Sequence, residues 1–212
     1  MSNDTLNPNL ARRLYGALGP LIGLTAIFER RAKALALAGL ALAPGQQVLQ
    51  VGVGTGVEQA ALQRAVAPTG LVVGYDLTRR MLELTRRRVA TPLCEGNVAW
   101  LPFADQQFDR VFSAYVLDLL PVALQPMALA ELRRVLRPGG RLVLIHMTTG
   151  HDRFSQSFVA GWQLAFRLNP CLVGGCRPVQ FYHQLIQAGL SVERQVAVEL
   201  GFPSEVLIAT NA

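Results

Sequence analysis

Val48-Leu49-Gln50-Val51-Gly52-Val53-Gly54-Thr55-Gly56 is the stretch from which the rest of the chain can be read. A β-rich run enters three glycines at alternate positions, and Val57 to Val66 then reads as a helix. Glycines in such a turn let backbone N–H groups approach a ligand at the helix N-terminus. A dinucleotide loop usually spaces its glycines as GxGxxG; here the spacing is GxGxG, and Val57 falls where that third glycine would stand. Asp76 closes the next strand, 20 residues after Gly56. A carboxylate at that point can accept hydrogen bonds from both hydroxyls of a ribose, in NAD and in S-adenosylmethionine alike. The plainer readings are a turn without a ligand and an Asp76 that caps the helix beyond it.

Outward from the loop, the pattern alternates. Leu71 to Tyr75 and Phe108 to Ala114 read as strands, with a weaker one near Leu93. Arg141 to Met147 is an almost continuous apolar run of the kind buried on both faces of a sheet. Helices are expected at Thr78 to Val89 and at Pro121 to Leu136, the second ended by Pro138-Gly139-Gly140. Such alternation builds a parallel sheet with helices on both sides. Residues 10–42 also read as helical. After Met147 come helices at Phe154 to Leu168 and Phe181 to Ala188, then strands at Ser191 to Glu199 and Glu205 to Thr210. Gly201-Phe202-Pro203 is too short a join for a crossover, so the last two strands should be antiparallel neighbours. The expected fold is α/β: a doubly wound, Rossmann-like sheet of seven strands, mostly parallel with an antiparallel final strand. One domain is expected over 1–212, with a helical cap over 1–43, a cofactor-binding core over 44–147 and a closing part over 148–212.

Composition narrows the class. The 212 residues carry 20 Lys+Arg against 14 Asp+Glu, a formal charge of +6, and Lys33 is the sole lysine. With 51% apolar and 16% charged residues, the chain can build a sizeable core and is too apolar to be disordered. The basic balance suits nucleic acid, anionic lipid or an anionic substrate without choosing among them. Cys94, Cys171 and Cys176 are odd in number and lack a CxxC pair, which favours reduced thiols over zinc or a disulfide framework. No metal is expected. Met1-Ser2-Asn3-Asp4 lacks a basic leader, and Leu14 to Phe28 offers only 15 uncharged residues, where a spanning helix needs about 20. A cytoplasmic chain, with or without peripheral membrane contact, is the expectation.

Four segments in order resemble the class I S-adenosylmethionine-dependent methyltransferases. They are VLQVGVGTG at 48–56, GYDLTRRML at 74–82, EGNVAWLPFADQQFDRVFSAYVL at 95–117 and LAELRRVLRPGGRLVLI at 129–145. The chain looks most like the ubiquinone/menaquinone C-methyltransferase-like (type 11) group and related phospholipid N-methyltransferases, over about residues 45–147. The resemblance implies S-adenosyl-L-methionine as cofactor. It gives Gly52, Gly54, Thr55 and Gly56 the loop around the methionine part and ribose, Asp76 the ribose hydroxyls, and Leu77 the adenine face. Asn97 stands where the family has an acid that accepts from the adenine amino group, and Val98 would add a backbone contact. Gln50 stands where the family usually has Asp or Glu near the cofactor's ammonium; it keeps an acceptor and loses a charge. Ser113 and Tyr115 follow the fourth strand, where the methyl group should emerge.

Methyl transfer from a sulfonium is an in-line displacement that asks mainly for alignment in a dry pocket. A dedicated acid–base pair is not obligatory. His146, at the C-terminal end of the fifth strand, is a candidate base or a satisfied strand-end residue. Tyr115 lines the pocket or packs in the core. Tyr15 stands where the family often has a tyrosine over the cofactor, and Arg177 is a candidate grip for a substrate anion or an ordinary loop arginine. His151 and His183 have no companions at ligand spacing.

Phe154, Phe158, Trp162 and Phe166 recur every four residues, as a core-facing stripe or as a greasy mouth lying on an anionic membrane. Both resembled groups act on lipid-like acceptors, so a hydrophobic small molecule or lipid is the expected substrate. Ser113-Ala114-Tyr115-Val116 is not the Asn-Pro-Pro-aromatic motif of methylases acting on exocyclic amines of nucleic acids. RNA methylation, a non-catalytic cofactor binder and an NAD-dependent oxidoreductase are the alternatives.

Overall fold

The computed structural model describes residues 12–16 and 27–211. Among them, seven strands form one sheet: β1 (Gln47–Val51), β2 (Leu71–Asp76), β3 (Leu93–Glu95), β4 (Phe108–Ala114), β5 (Leu136–Met147), β6 (Leu190–Glu199) and β7 (Phe202–Asn211). Their spatial order is β3-β2-β1-β4-β5-β7-β6. The first five run parallel, and β7 inserts antiparallel between β5 and β6. Strand order reverses between β1 and β4, and open α/β sheets bind ligands in the crevice at such a switch point.

The apolar runs are buried on both faces because successive side chains point to opposite sides of a strand. Leu142, Leu144, Leu207 and Ala209 join Leu49 and Val51 in the core on one face. Val143, Ile145, Val206 and Ile208 join Val48 and Phe112 on the other. Helices α4 (Gln125–Arg134) and α6 (Tyr182–Gln187) cover the first face through Ala128, Leu132 and Leu185. Helices α1 (Arg30–Gly39) and α2 (Val57–Val66) cover the second through Ala32, Ala36, Leu62 and Val66. Small residues bring α1 close to the sheet: a Cβ on Gly39 would lie 2.5 Å from Ile208 Cδ1.

Several boundaries differ from the sequence reading. The helix expected to end at Leu136 stops at Arg134, because Leu136 already pairs with Phe108 on β4. A register shift between Phe108 and Arg110 then absorbs Pro138-Gly139-Gly140 inside β5. Helix α3 (Arg79–Arg86) ends three residues before Val89. The final hairpin turns through Leu200 and Gly201, both at positive φ, so pairing runs out to Glu199 and Phe202. Two left-handed residues in succession match the strand twist of a two-residue hairpin. Of the helical region expected over 10–42, residues 12–16 and α1 are helical, and residues 10–11 and 17–26 lie outside the described residues.

Candidate active site

The glycine loop leaves β1 at the switch point and turns into α2. Gly52 has φ +77, and a Cβ there would run into Val116. Gly56 caps α2 at φ +81, where a Cβ would lie 2.7 Å from the Thr85 backbone. Gly54 faces open space. Gln50, Gly52, Gly54 and Thr55 line one wall of a cavity of about 1780 Å³, with Asp76, Leu77, Asn97 and Val98. Gly56 is not among the lining residues; it shapes the turn.

Asp76 serves the turn as well as the cavity. Its Oδ1 accepts from the Thr78 N–H and hydroxyl, each at 2.9 Å, and its Oδ2 accepts weakly from the Gly54 N–H at 3.4 Å. Burial raises its pKa, against the pull of the N–H groups of Thr78, Gly54 and Val53. A carboxylate has about four acceptor sites, so capacity remains for a diol at the cavity wall. Asn97 Oδ1 accepts from the Ala99 N–H at 3.0 Å and keeps a second lone pair. Gln50 Oε1 is buried at the loop with no hydrogen-bond partner in the protein. An orphaned buried acceptor costs free energy unless a ligand donor reaches it. Together, an open acceptor at Gln50, a diol-facing carboxylate and a glycine cradle fit S-adenosylmethionine.

Tyr15 and Arg12 bring the N-terminal helical turn to this end. The Tyr15 hydroxyl donates to the Gly174 carbonyl at 2.9 Å, and Arg12 Nε donates to the Leu77 carbonyl at 3.2 Å. Tyr15 lines the cavity and packs with Met81 and Leu82. Burial pushes its phenol well up, so it keeps its proton.

The far end of the cavity is aromatic. Phe28, Tyr115, Phe158, Trp162 and Phe202 line it, with Phe202 at 6.0 Å from Tyr115 and 5.4 Å from Trp162, centre to centre. Phe158 and Trp162 stack at 5.8 Å. They lie on α5 (Arg153–Leu168), and the stripe read from the sequence divides: these two face the cavity, Phe166 is buried and Phe154 is exposed. Tyr115 has φ +53, and its hydroxyl lies 2.7 Å from that of Ser204. Burial holds its phenol far above the ordinary value, against the hydrogen bond to Ser204.

Three residues named from the sequence stand elsewhere. His146 is buried, absent from the cavity wall and paired with Glu205 at 2.9 Å across β5 and β7. It also meets Phe181 edge-on at 5.1 Å. The pleat sends it to the face of Leu142 and Leu144, away from the cavity wall, where Nε2 meets Glu205 and Nδ1 has no hydrogen-bond partner, so it does not stand as a base at the methyl group. Ser113 is buried beneath the cavity wall with no partner for its hydroxyl. Arg177 donates to the carbonyls of Leu120 at 2.8 Å and Asp118 at 3.4 Å, which ties its loop down and takes it off the cavity wall.

Other residues escaped the sequence reading. Lys33 bridges Glu29 and Glu58, each at 2.8 Å, and all three line the cavity. Burial would lower the Lys33 pKa, but the two carboxylates outweigh it and raise it. The only signal was its being the sole lysine. Asp118 is fully buried behind Cys176, which lines the cavity. Burial pushes the Asp118 carboxyl up to about 6, against His146 and the N–H of Met147. Among the described residues no cluster could hold a metal ion, and no helix is long and apolar enough to cross a membrane.

Switch point, glycine loop, an acid at the end of the second strand and a closing antiparallel strand define a class I methyltransferase fold. Residues 49–144 match the family profile described as "Methyltransferase domain". The chain is 38% identical over 128 residues to the demethylmenaquinone methyltransferase of Symbiobacterium thermophilum, covering 57% of this chain and 50% of that protein. It spans only a third to a half of the length of the curated relatives it matches first, 34% and 50%. Among solved structures it superposes on the N-methyltransferase NodS of Bradyrhizobium japonicum in complex with S-adenosyl-L-homocysteine, with TM-score 0.65, 17% identity and 87% of each chain covered. The cyclase SpnF shares the fold at TM-score 0.74 and 15% identity, over 98% of this chain and 97% of that one.

Proposed function

We propose that this chain transfers a methyl group from S-adenosylmethionine to an apolar, lipid-soluble acceptor, such as a quinone precursor or a lipid headgroup. The observation that carries this reading is one continuous cavity with two unlike ends. Gln50, the glycine loop and Asp76 form a polar end, and Phe28, Tyr115, Phe158, Trp162 and Phe202 form an aromatic one, bordered by the Glu29–Lys33–Glu58 ion pairs. Its volume, about 1780 Å³, exceeds the roughly 300–1,000 Å³ of an ordinary small-ligand site, so cofactor and acceptor fit together. The demethylmenaquinone methyltransferases among the relatives lean the same way.

When bound, the cofactor supplies an electrophilic methyl on a sulfonium. The chain's own residues hold and exclude. Asp76 and Gln50 fix the polar end, and the aromatic rings keep water from the apolar end and orient a flat or greasy acceptor. Tyr115 and Tyr15 keep their protons, and Glu29 and Glu58 are engaged with Lys33, so catalysis here rests on alignment and desolvation. An acceptor of this kind resides in a bilayer, so the chain works at a lipid surface.

The test incubates the protein with methyl-labelled S-adenosylmethionine and a crude lipid extract, with total RNA in parallel. Label is expected in the organic phase. Label confined to RNA, or none in either fraction while the cofactor binds, would overturn the reading.

A further inference from the structure

The outer face of α5 suits a lipid surface better than it suits water. At 100° per residue, Ser155, Val159 and Phe166 turn inward, and Phe158 and Trp162 turn to the cavity. The strip beside the cavity-facing rings is also apolar but uncovered: Phe154 is 69% exposed, Leu164 60% and Leu168 75%. Two other segments extend it. Leu172, 68% exposed, lines the cavity itself, and Leu200, 61% exposed, crowns the β6–β7 turn. That turn adjoins the strip, because a Cβ on Gly201 would lie 2.9 Å from the Phe154 ring. Single exposed leucines are ordinary, whereas a contiguous apolar patch at the rim of a cavity marks an interaction site.

Charge identifies the partner. Arg153 and Arg167 lie on the exposed part of α5, and Arg30 and Arg31 line the cavity from α1. Glu29 and Glu58 share Lys33, while Glu199 and Asp152 accept from the Arg31 and Ser155 backbone N–H groups and keep their charge, so the four arginines and Lys33 exceed these four acids by one. Arginines beside exposed Phe and Leu on one helix are the pattern of a helix lying in a membrane interface, where anionic lipids attract the cations. We propose that the chain docks on an anionic phospholipid leaflet through Phe154, Leu164, Leu168, Leu172 and Leu200, so that the aromatic end of the cavity opens onto the bilayer. The proposal rests on the lipid-soluble acceptor reading and names the surface through which such an acceptor enters.

Vesicle sedimentation tests it, using the full chain with phosphatidylcholine vesicles that do or do not contain phosphatidylglycerol. The wild type should pellet with the anionic vesicles, and added salt should release it. The triple variant Phe154→Ser, Leu164→Ser, Leu168→Ser should bind those vesicles at least tenfold more weakly. These three side chains lie off the cavity wall, so S-adenosylhomocysteine affinity and melting temperature should stay at wild-type values. Methyl transfer to acceptor dispersed in detergent should also persist in the variant, which separates failure of docking from failure of the functional reading. The proposal is overturned if the wild type ignores anionic vesicles or if the variant binds them equally well. It is also overturned if the wild type sediments as a dimer that the variant dissociates, since the strip would then join two copies of this chain.

Discussion

In the proposed function, Asp76 and Gln50 are the residues that hold the cofactor at the cavity's polar end. Asp76 accepts two hydrogen bonds from Thr78 and a weak one from Gly54, and it lines the cavity with acceptor capacity to spare. Asp76→Ala should weaken S-adenosylhomocysteine binding at least tenfold, or about 1.4 kcal/mol, measured by calorimetric titration. Gln50→Glu places a charge beside the ammonium and should tighten the same binding by roughly tenfold. It should also lower the melting temperature of the ligand-free chain, because it buries an unpaired carboxylate. Both positions were legible in the sequence, since a loop after a strand and an acid one strand later occupy fixed places in this fold. His146 was legible only in part. Its place at the end of β5 could be read, but which face of the pleat it took depended on the sheet around it, and it turned toward Phe181 and Glu205. Arg177 sits in a loop, where no periodicity foretells direction.

Elements past Met147 show how local pairing sets the frame. His146 and Glu205 stand directly opposite each other on β5 and β7, and Arg194 of β6 reaches the same carboxylate. Burial would raise the Glu205 pKa, but His146 and Arg194 hold it below the ordinary value. Glu205→Ala should destabilise the fold by about 3 kcal/mol in urea titration, while cofactor affinity per folded molecule stays unchanged. Asp118 works in the opposite sense. With its carboxyl raised to about 6, the folded state keeps a proton that the unfolded chain has already lost, so its contribution falls as pH rises from about 4 to 6. Asp118→Asn should flatten that slope and stabilise the chain near neutral pH by up to about 3 kcal/mol. The antiparallel hairpin followed from a short join in the sequence. Its turn at Leu200 and Gly201 did not, because Leu200 is not a residue that announces a left-handed backbone.

Across the whole molecule, alternating apolar strands and the glycine loop specified the sheet, and the structure orders its strands as expected. The acceptor end was less legible, because it gathers Phe28, Tyr115, Trp162 and Phe202 from segments far apart in the chain. Trp162→Ala should raise KM for a lipid-soluble acceptor several-fold and leave cofactor affinity unchanged, since it touches one end of the cavity only. A fold shared with both an N-methyltransferase and a cyclase does not fix the chemistry, so cofactor choice carries the most weight. That choice is tested most directly by titrating the purified chain with S-adenosylhomocysteine and, separately, with NAD. Saturable one-to-one binding of the first and none of the second is expected, with the first lost or sharply weakened in Asp76→Ala. Binding of NAD in its place, or S-adenosylhomocysteine binding that Asp76→Ala leaves untouched, would contradict the assignment of this cavity.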